Sequence, residues 1–397
     1  MSGPVESNPT PVTQTGRSGP LAGIRVIELA SAGPGPMCAM LLADLGATVL
    51  RIGRKEAVQI GIKRPLKYDL LLRNRLSINL DLKSPAAVEA TLVLVEKADA
   101  LIEGFRPGVT ERLGLGPDVC LRRNPRLIYG RMTGWGQTGP LAPTAGHDLG
   151  YIAITGVLNA IGRDGAPPSI PLNLIGDYAG GSLYLALGLL AGIIEARSSG
   201  KGQVVDAAIV DGTASLATTF FGMHAAGMLT PTRGQNVGDS GSHFYDVYEC
   251  ADGKWLSVAP LEEKFYSQLL ERLGIDATQI GPQMDRANWP RAKGLLADEF
   301  RTRTRDEWAH LFADSDACVA PVLSWDEAPG HTHLAARGTF VEVDGITQPA
   351  PAPRFSRTGP ALPTAPAPVT AQNTTAALEP WLSAAQIAGW RTAGLID

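Results

Sequence analysis

The sequence predicts an α/β fold with a parallel sheet, joined to a smaller α+β domain, and three observations support this. Apolar segments of strand type alternate with segments of helical spacing, beginning at Leu21. Such strand–helix–strand alternation builds a parallel sheet with helices on both faces. From Phe244 the chain changes character, to a hairpin signal followed by amphipathic helices. A chain of 397 residues is long enough for two domains.

The predicted sheet elements come first along the chain. Two helices follow strand segments, MCAMLLADLGA and SPAAVEATLVLVEKA, and Ser84 and Pro85 suit the cap and first residue of the second. After residue 200, QVVDAAIVDG predicts a strand that leads into a helix. The segments predicted as strands before that point are GIRVIELA, ATVLRI, ADALIEGF and LIYGRMTGWG.

One uncharged segment of 17 residues, Tyr178 to Ile194, lies between Asp177 and Glu195. Its length is at the lower limit for crossing a bilayer. It stands alone, and small residues let a helix approach its neighbours closely. We therefore expect a buried helix packed through its glycines, which are Gly180, Gly181, Gly188 and Gly192.

Composition and patterning divide the chain into five segments. FYDVYEC and KWLSVAP flank an Ala-Asp-Gly hairpin signal, and Ser383 with Gln386 forms a predicted capping box near the end. The predicted segments are a flexible tail over 1–20, a large domain over 21–205, a linker helix and loop over 206–243, a small α+β domain over 244–330 and a final segment over 331–397.

Charge and cysteine usage exclude several classes of protein. The net charge of −4 and the pI near 5.9 argue against nucleic-acid binding and against a polybasic membrane surface. The N-terminal residues have no apolar core of signal-peptide type. Four cysteines are scattered without metal or pairing spacing, so we expect a reducing, cytoplasmic location.

Basic residues gather in the first third of this acidic chain. The loop Gly33-Pro-Gly35 has the rhythm of a dinucleotide fingerprint, but its prolines remove backbone donors that a pyrophosphate would need. The crowding predicts either an anion site for a phosphorylated ligand or a solvated charged face. The basic residues are Arg51, Arg54, Lys55, Lys63, Arg64, Lys67, Arg73, Arg75, Lys83, Arg106 and Arg112.

Three residues are candidates for acid/base chemistry, each with a structural alternative. His147 opens a predicted helix, where the positive end of the dipole disfavours the imidazolium ion. Asp177 is predicted as the N-cap of the helix over 178–197, a role that would by itself explain an aspartate. Glu262 falls in the first turn of a predicted helix, and Glu263 beside it is equally eligible by composition.

In combination, short motifs in a fixed order resemble the family III CoA transferases, and within them the branch that racemises α-methylacyl-CoA thioesters. The resemblance runs from Leu21 to the end of the chain. The motifs are LAGIRVIELA, GPGP, LADLGATVLRI, LRNRLSINLDLK, IEGFRPGVTERLGLG, IYGRMTGWGQTGP, AGHDLGY, GDYAGG, SSGKGQVVDAAIVDG and DVYECADGKWLSVAPLEEKFY.

The resemblance implies a large Rossmann-like CoA-binding domain, completed by the final segment, and an interlocked homodimer. It assigns catalysis to His147 and Asp177, with Glu262 of the small domain in support across the subunit boundary. It departs from the family in the N-terminal tail and in extra residues between Arg54 and Leu71. The implied CoA contacts are Arg54, Leu80, Asp81, Leu82, Lys83, Gly104, Phe105, Arg106, Arg112, Gly146, His147, Asp148, Leu149, Gly150 and Tyr151.

The implied activity is the interconversion of (R)- and (S)-2-methylacyl-CoA thioesters in lipid metabolism, by transfer of one proton through an enolate. Acyl-CoA is then the substrate, and neither a metal nor a redox cofactor is expected. The alternative is a CoA transferase that forms an acyl anhydride at Asp177. A catalytically inactive CoA-binding subunit and an NAD-dependent dehydrogenase are further alternatives, which the His147–Asp177–Glu262 set and the prolines of the first loop disfavour.

Overall fold

A six-stranded parallel sheet forms the centre of the first of two units in the chain. The computed structural model describes residues 18–56 and 62–396. Within the described residues, the first unit contains the chain up to Ile152, then 173–215 and 336–396. Its strands are β1 (Arg25–Leu29), β2 (Thr48–Gly53), β3 (Leu76–Asn79), β4 (Ala100–Glu103), β5 (Ile128–Thr133) and β6 (Gln203–Ala208). The parallel α/β fold is thus confirmed.

The strand order determines where a ligand would bind. The strands lie in the order β3-β2-β1-β4-β5-β6, and every neighbouring pair is parallel. The chain therefore leaves β1 toward one edge and returns at β4 to build the other half. In sheets of this type, ligands bind beyond the carboxyl ends of the strands at this switch point. The loops that begin at Ala30 and Gly104 lie there.

Each face of the sheet is covered by its own apolar cluster. Successive strand residues point to opposite faces, so Val26 joins one cluster and Ile27 the other. The cluster around Ile27 includes Leu378 and Trp381 from the end of the chain. The helices and turns of this unit are α1 (Pro34–Asp44), 3-10 turns Leu66–Tyr68 and Leu70–Leu72, α2 (Pro85–Val95), α3 (Val109–Arg112), α4 (Pro117–Arg123), α5 (Asp148–Ile154), α7 (Tyr184–Ser199), α8 (Ile209–Leu216), α15 (Ala371–Leu378) and α16 (Ala384–Thr392), with the hairpin β10 (Phe340–Val343) and β11 (Ile346–Pro349).

The long uncharged helix packs through its glycines, as the sequence predicted. A side chain on Gly188 would lie 2.6 Å from Val205, and one on Gly192 would lie 3.0 Å from Ile128. By length and composition the stretch Leu174–Ser199 is a helix that could also cross a membrane. It is buried on one face only, because its other face exposes Leu183, Leu187 and Ile194.

The second unit contains residues 153–172 and 216–335. Its sheet is antiparallel in the order β7-β8-β9, and β7 with β8 forms the hairpin predicted around Ala-Asp-Gly. Helices α10, α12 and α13 pack on it in one apolar cluster. The elements are α6 (Val157–Ala160), α9 (Thr218–Ala225), 3-10 turns Val237–Asp239 and Ala328–Gly330, β7 (Asp246–Glu249), β8 (Trp255–Val258), α10 (Glu263–Leu273), α11 (Ala277–Ile280), α12 (Trp289–Phe300), α13 (Arg305–Phe312), β9 (Val319–Pro321) and α14 (Thr332–Ala336), whose last residue belongs to the first unit.

The boundaries of the units differ from the predicted segments. The predicted linker over 206–243 is divided between the units after residue 215, and residues 331–335 of the predicted final segment belong to the second unit. Residues 153–172, expected in the large domain, lie in the second unit, where the Arg163 guanidinium donates to Asp246 at 2.7 Å. The predicted tail lies outside the described residues except for 18–20. The predicted capping box at Ser383 and Gln386 is present.

Candidate active site

His147 lies at the start of helix α5, as the sequence predicted. Its carbonyl oxygen accepts the backbone N–H groups of Gly150 at 2.9 Å and Tyr151 at 3.3 Å, which closes the first turn of the helix. The His147 residue is exposed. The imidazole is therefore accessible to a substrate at the end of strand β5.

Asp177 is not the N-cap that the sequence predicted. The helix begins earlier, at Leu174, with Asn173 at the cap position, and runs through Leu183 with π-type hydrogen bonding before it continues as α7. Asp177 consequently lies in the first turn of the helix. The π-type segment extends the helix toward its N-terminus, before the apolar pattern that the sequence shows. Turns of this type are frequent at functional sites.

The carboxylate of Asp148 connects the two candidate catalytic segments. Its Oδ1 accepts the backbone N–H of Asp177 at 2.7 Å, and the N–H of Gly176 donates to the same carboxylate. A side chain on Gly176 would collide with this carboxylate. Because Asp148 directly follows His147, one side chain fixes the helix that carries Asp177 beside the helix that His147 opens.

The surroundings of Asp177 favour its protonated form. Burial raises the pKa of this carboxyl, and the nearby Asp148 charge raises it further, whereas the hydrogen bond from Asn173 and the charge of His147 act in the opposite direction. The carboxylate also lies at Gly33, where an added side chain would be 3.2 Å from Oδ2. Asp177 thus lies at the loop that follows β1, at the switch point of the sheet.

A substitution at Asp177 should separate stability from chemistry. A carboxyl whose pKa is raised in the folded protein stabilises the fold below its ordinary pKa of 3.8, and this contribution is lost as the pH rises through the raised value. We therefore expect Asp177→Asn to increase the free energy of unfolding in urea more at alkaline pH than at acidic pH, and the gain to shrink as the pH falls toward 3.8. The exposed Asp326→Asn variant is the control, and an equal gain there would contradict this expectation.

Part of the basic cluster is structural: Arg73 and Arg75 are buried and paired, so neither of the two alternatives predicted for the cluster, an anion site or a solvated face, describes them. Arg73 donates to Asp44 and to Gln348, at 2.9 Å for the latter, and Arg75 forms a fully buried ion pair with Glu28. These guanidinium groups are compensated within the core. In the more exposed part of the cluster, Arg64 pairs with Asp69 and Lys67 with Asp344.

Four other cations lie at the carboxyl edge of the sheet. Arg54 follows β2, Lys83 follows β3, and Arg106 and Arg112 follow β4. All four are exposed, and none of them forms an ion pair within residues 18–56 and 62–396. This edge of the sheet therefore carries positive charge that is not paired with a carboxylate within the described residues, as an anionic ligand would require.

The other predicted CoA contacts divide into core residues and surface residues. Leu80 is fully buried, and Leu82 and Phe105 pack against the same apolar cluster. Gly104 leaves space for Ser31, whose Oγ would lie 2.8 Å from an added side chain. The exposed positions among them are Asp81, Leu149 and Gly150.

Tyr151, in the helix that His147 opens, packs against Trp135 and Gly146. Its ring lies edge-on to Trp135 at 4.6 Å and against Gly146, where an added side chain would lie 2.5 Å from the ring. Burial raises the pKa of the Tyr151 hydroxyl, the charge of Asp177 adds to this effect, and the charge of Arg106 opposes it.

Glu262 lies in the second unit, whereas His147 and Asp177 lie in the first. It occupies the N-cap position of α10, one residue before the helix in which it was expected, and Glu263 is the first helical residue. Both glutamates are exposed. Its predicted role beside His147 stays a prediction.

Comparison with known proteins places this arrangement in a family. Residues 21–374 match the sequence profile of CoA-transferase family III. The chain belongs to this family. Among curated family members, α-methylacyl-CoA racemase from Mus musculus is 43% identical over 347 residues, which cover 87% of this chain and 88% of the mouse protein.

Two further relatives agree with this membership. The α-methylacyl-CoA racemase of Homo sapiens is 42% identical over 346 residues, covering 86% of this chain and 88% of the human protein. The crystal structure of a CAIB/BAIF family protein from Brucella suis superposes with a TM-score of 0.77 at 25% identity, over 93% of this chain and all of that protein.

Two residues of the site in this family III protein lie outside the set predicted from the sequence. Asn173, which donates to Asp177 Oδ2 at 3.3 Å, and Trp135, which packs on Tyr151, were not predicted. Asn173 precedes Asp177 by four residues, which is the spacing of neighbours on one helix face. That signal was hidden because the helix was expected to begin after Asp177.

Proposed function

We propose that the protein is a racemase that interconverts (R)- and (S)-2-methylacyl-CoA thioesters. One observation carries the proposal most strongly: the side chain of Asp148, the residue after His147, holds the backbone of Asp177 at 2.7 Å, within a chain 42–43% identical to α-methylacyl-CoA racemases. The uncompensated cations at the carboxyl edge of the sheet suit the phosphates of CoA.

Two proton carriers are sufficient for this reaction. The α-carbon of a thioester is weakly acidic, because the enolate spreads its charge onto the thioester oxygen. Neutral His147 removes the proton from one face while protonated Asp177 delivers a proton to the other, and the reverse sequence serves the other epimer. The raised pKa of Asp177 supports its role as the acid.

The developing enolate requires a hydrogen-bond donor. We infer that the backbone N–H of Asp148, as the first residue of α5, supplies one, because the first N–H groups of a helix lack acceptors within the helix. A donor of this kind contributes about 2.7–4 kcal/mol in other oxyanion sites. The chemistry proposed here needs no metal or redox cofactor, since acyl-CoA is the substrate and both proton carriers belong to the chain.

The deciding experiment follows the α-proton. Wild-type protein is incubated with (R)-2-methylacyl-CoA in deuterated water, and both deuterium at the α-carbon and the epimer ratio are measured. A racemase incorporates deuterium as it produces the S epimer. The family III alternative, through an anhydride at Asp177, predicts transfer of CoA to a free carboxylate with release of the original acyl group as its acid and without any α-proton exchange, and that result would exclude the racemase.

The cations that follow β4 provide a separate test of CoA recognition. We expect Arg106→Ala and Arg112→Ala each to weaken binding of free CoA by about 1.5–3 kcal/mol, the contribution of a charged hydrogen bond. Calorimetry measures this directly, and the KM for acyl-CoA should rise in parallel. Arg64→Ala removes an exposed arginine that is already paired with Asp69, so its affinity should remain close to wild type; unchanged affinity in all three variants would remove Arg106 and Arg112 from the site.

We further propose an obligate homodimer in which Glu262 of one subunit orients His147 of the other. The apolar residues exposed on the helix Leu174–Ser199, which are Leu183, Leu187 and Ile194, support a partner on that face. Asp177→Ala and Glu262→Ala chains, each inactive alone, should regain activity when refolded together, because mixed dimers contain one intact site. A stable, active monomer in sedimentation would contradict the dimer.

We also propose that the protein works in the cytoplasm. All four cysteines are free thiols, and Cys38, Cys120 and Cys250 are buried. Free thiols suit a reducing compartment.

A further inference from the structure

A buried arginine of strand β5 connects both segments that carry the cations following β4. Arg131 lies opposite Glu103 in the register of β4 and β5, and its Nε donates to Glu103 Oε1 at 3.0 Å. Its Nη1 donates to Glu111 Oε1 at 2.8 Å. Arg131 therefore bridges two carboxylates that lie eight positions apart in the sequence, and Arg106 lies between them.

The Glu103 branch fixes the loop that contains Arg106. Glu103 is fully buried, and its second oxygen, Oε2, accepts the backbone N–H of Phe105 at 2.7 Å. The guanidinium of Arg54 lies over the Phe105 ring, 5.8 Å from its centre. The position of Phe105 therefore affects the cation that follows β2 as well as Arg106, the next residue in the chain.

The Glu111 branch fixes the short helix α3, which ends at Arg112. Glu111 directly precedes Arg112, and its Cγ lies 2.8 Å from where a side chain on Gly116 would stand. The Thr110 hydroxyl donates to its other oxygen at 3.2 Å. Arg131 itself is 7% exposed and lies over the ring of Tyr129. A ligand at the carboxyl edge could contact the exposed Arg106 and Arg112, whereas Arg131 is buried.

We propose that Arg131 is a positioning residue for the nucleotide part of CoA: by bridging Glu103 and Glu111 it preorganises Arg54, Arg106 and Arg112 to receive the phosphates. This inference rests on the proposed function, since it takes acyl-CoA as the ligand. Holding side chains in their bound arrangement before the ligand arrives reduces the entropy lost on binding. The planar fork of arginine can serve two carboxylates at once, whereas lysine presents a single point charge.

The test compares two thioesters of the same acyl group, one on CoA and one on pantetheine, which lacks the nucleotide. We expect Arg131→Lys and Arg131→Gln to raise the KM for acyl-CoA about tenfold, the size expected when two or three long side chains lose their preorganisation. The kcat, and all kinetic constants for the acyl-pantetheine, should change less than about twofold. Binding of free CoA in calorimetry should weaken by the same factor as the KM.

Arg123 offers a matched control. This last residue of α4 also bridges two glutamates, Glu89 of α2 at 2.5 Å and Glu96, which directly follows α2. Both helices end where the chain enters β4 and β5, at the edge of the sheet opposite the carboxyl edge. Arg123→Gln should leave both thioesters unaffected. Should Arg131→Gln fail to fold, Glu111→Gln breaks only the partly exposed branch and should still raise the KM for acyl-CoA selectively.

Each outcome has one meaning. Equal losses with both thioesters, or a lower melting temperature with an unchanged CoA affinity, would reduce Arg131 to a stabilising role and overturn the proposal. Wild-type protein that binds no CoA and exchanges no α-proton would instead refute the proposed function. A KM that rises for acyl-CoA but not for the acyl-pantetheine in the Arg131 and Glu111 variants, with normal kinetics in the Arg123 variant, supports the positioning role.

Discussion

Replacing His147 by alanine is expected to abolish epimerisation while leaving slow exchange of the α-proton of one epimer. If His147 and Asp177 face opposite sides of the α-carbon, the remaining carboxylate still removes the α-proton on its side. That proton exchanges with solvent, and a deuteron is delivered to the same face. Loss of one acid/base partner lowers rates by about 10²–10⁴-fold. Proton NMR in deuterated water measures exchange, and chiral chromatography measures the epimer ratio.

Asp177→Asn should also lose epimerisation, with residual exchange in the opposite epimer. Its residual exchange should occur, with retention, only in the epimer whose proton faces His147. His310→Ala, which removes an exposed histidine of α13 in the second unit, serves as the control and should epimerise normally. Loss of exchange with both epimers in both variants would contradict two independent bases.

Replacing Arg73 by methionine is expected to lower the free energy of unfolding by about 3–5 kcal/mol, the cost of leaving a buried charge without its partner. The charge in question is Asp44, which is 3% exposed and accepts from Arg73 and Asn74. Urea unfolding monitored by fluorescence measures the change. CoA affinity of the folded variant should match wild type, because Arg73 is committed to the core.

Arg64→Met is the control for this substitution. Arg64 and Asp69 form an exposed pair at 3.3 Å, and exposed pairs contribute about 1 kcal/mol or less. A loss of CoA affinity in Arg73→Met without a loss of stability would contradict the structural role of Arg73 and indicate that it contributes to anion binding.

The strands that the sequence predicted are those whose own residues form a recognisable apolar pattern. Strand β1 reads as a continuous apolar run because both of its faces are buried. Strand β3 was not predicted, because it has four residues and follows two arginines. Those arginines are buried only because Asp44 and Glu28, far away in the sequence, neutralise them, and no local pattern contains that information.

In the site, too, some features were predictable from neighbouring residues and others depend on residues far apart in the sequence. The position of His147 at a helix start was predictable from the residues around it. The start of helix α10, and with it Glu262, was predicted to within one residue. The start of the helix at Leu174 was not predictable, because π-type turns do not follow the 3.6-residue period. The link from Asp148 to Asp177 joins residues 29 positions apart, and only the folded sheet brings them together.

The hydrogen bonds of Arg73 and Asn74 have a consequence for synthesis on the ribosome. Arg73 donates to Gln348, 275 residues later, and Asn74 accepts from the backbone of Thr364, 290 residues later. At roughly 5–20 residues per second, about 14–55 s separate translation of Arg73 from that of its acceptor. Throughout this interval the nascent first unit has an incomplete surface around Arg73 and Asn74. A chaperone that covers this surface would act during elongation. A chain released before Gln348 is translated could not form the Arg73–Gln348 hydrogen bond and would keep the surface incomplete.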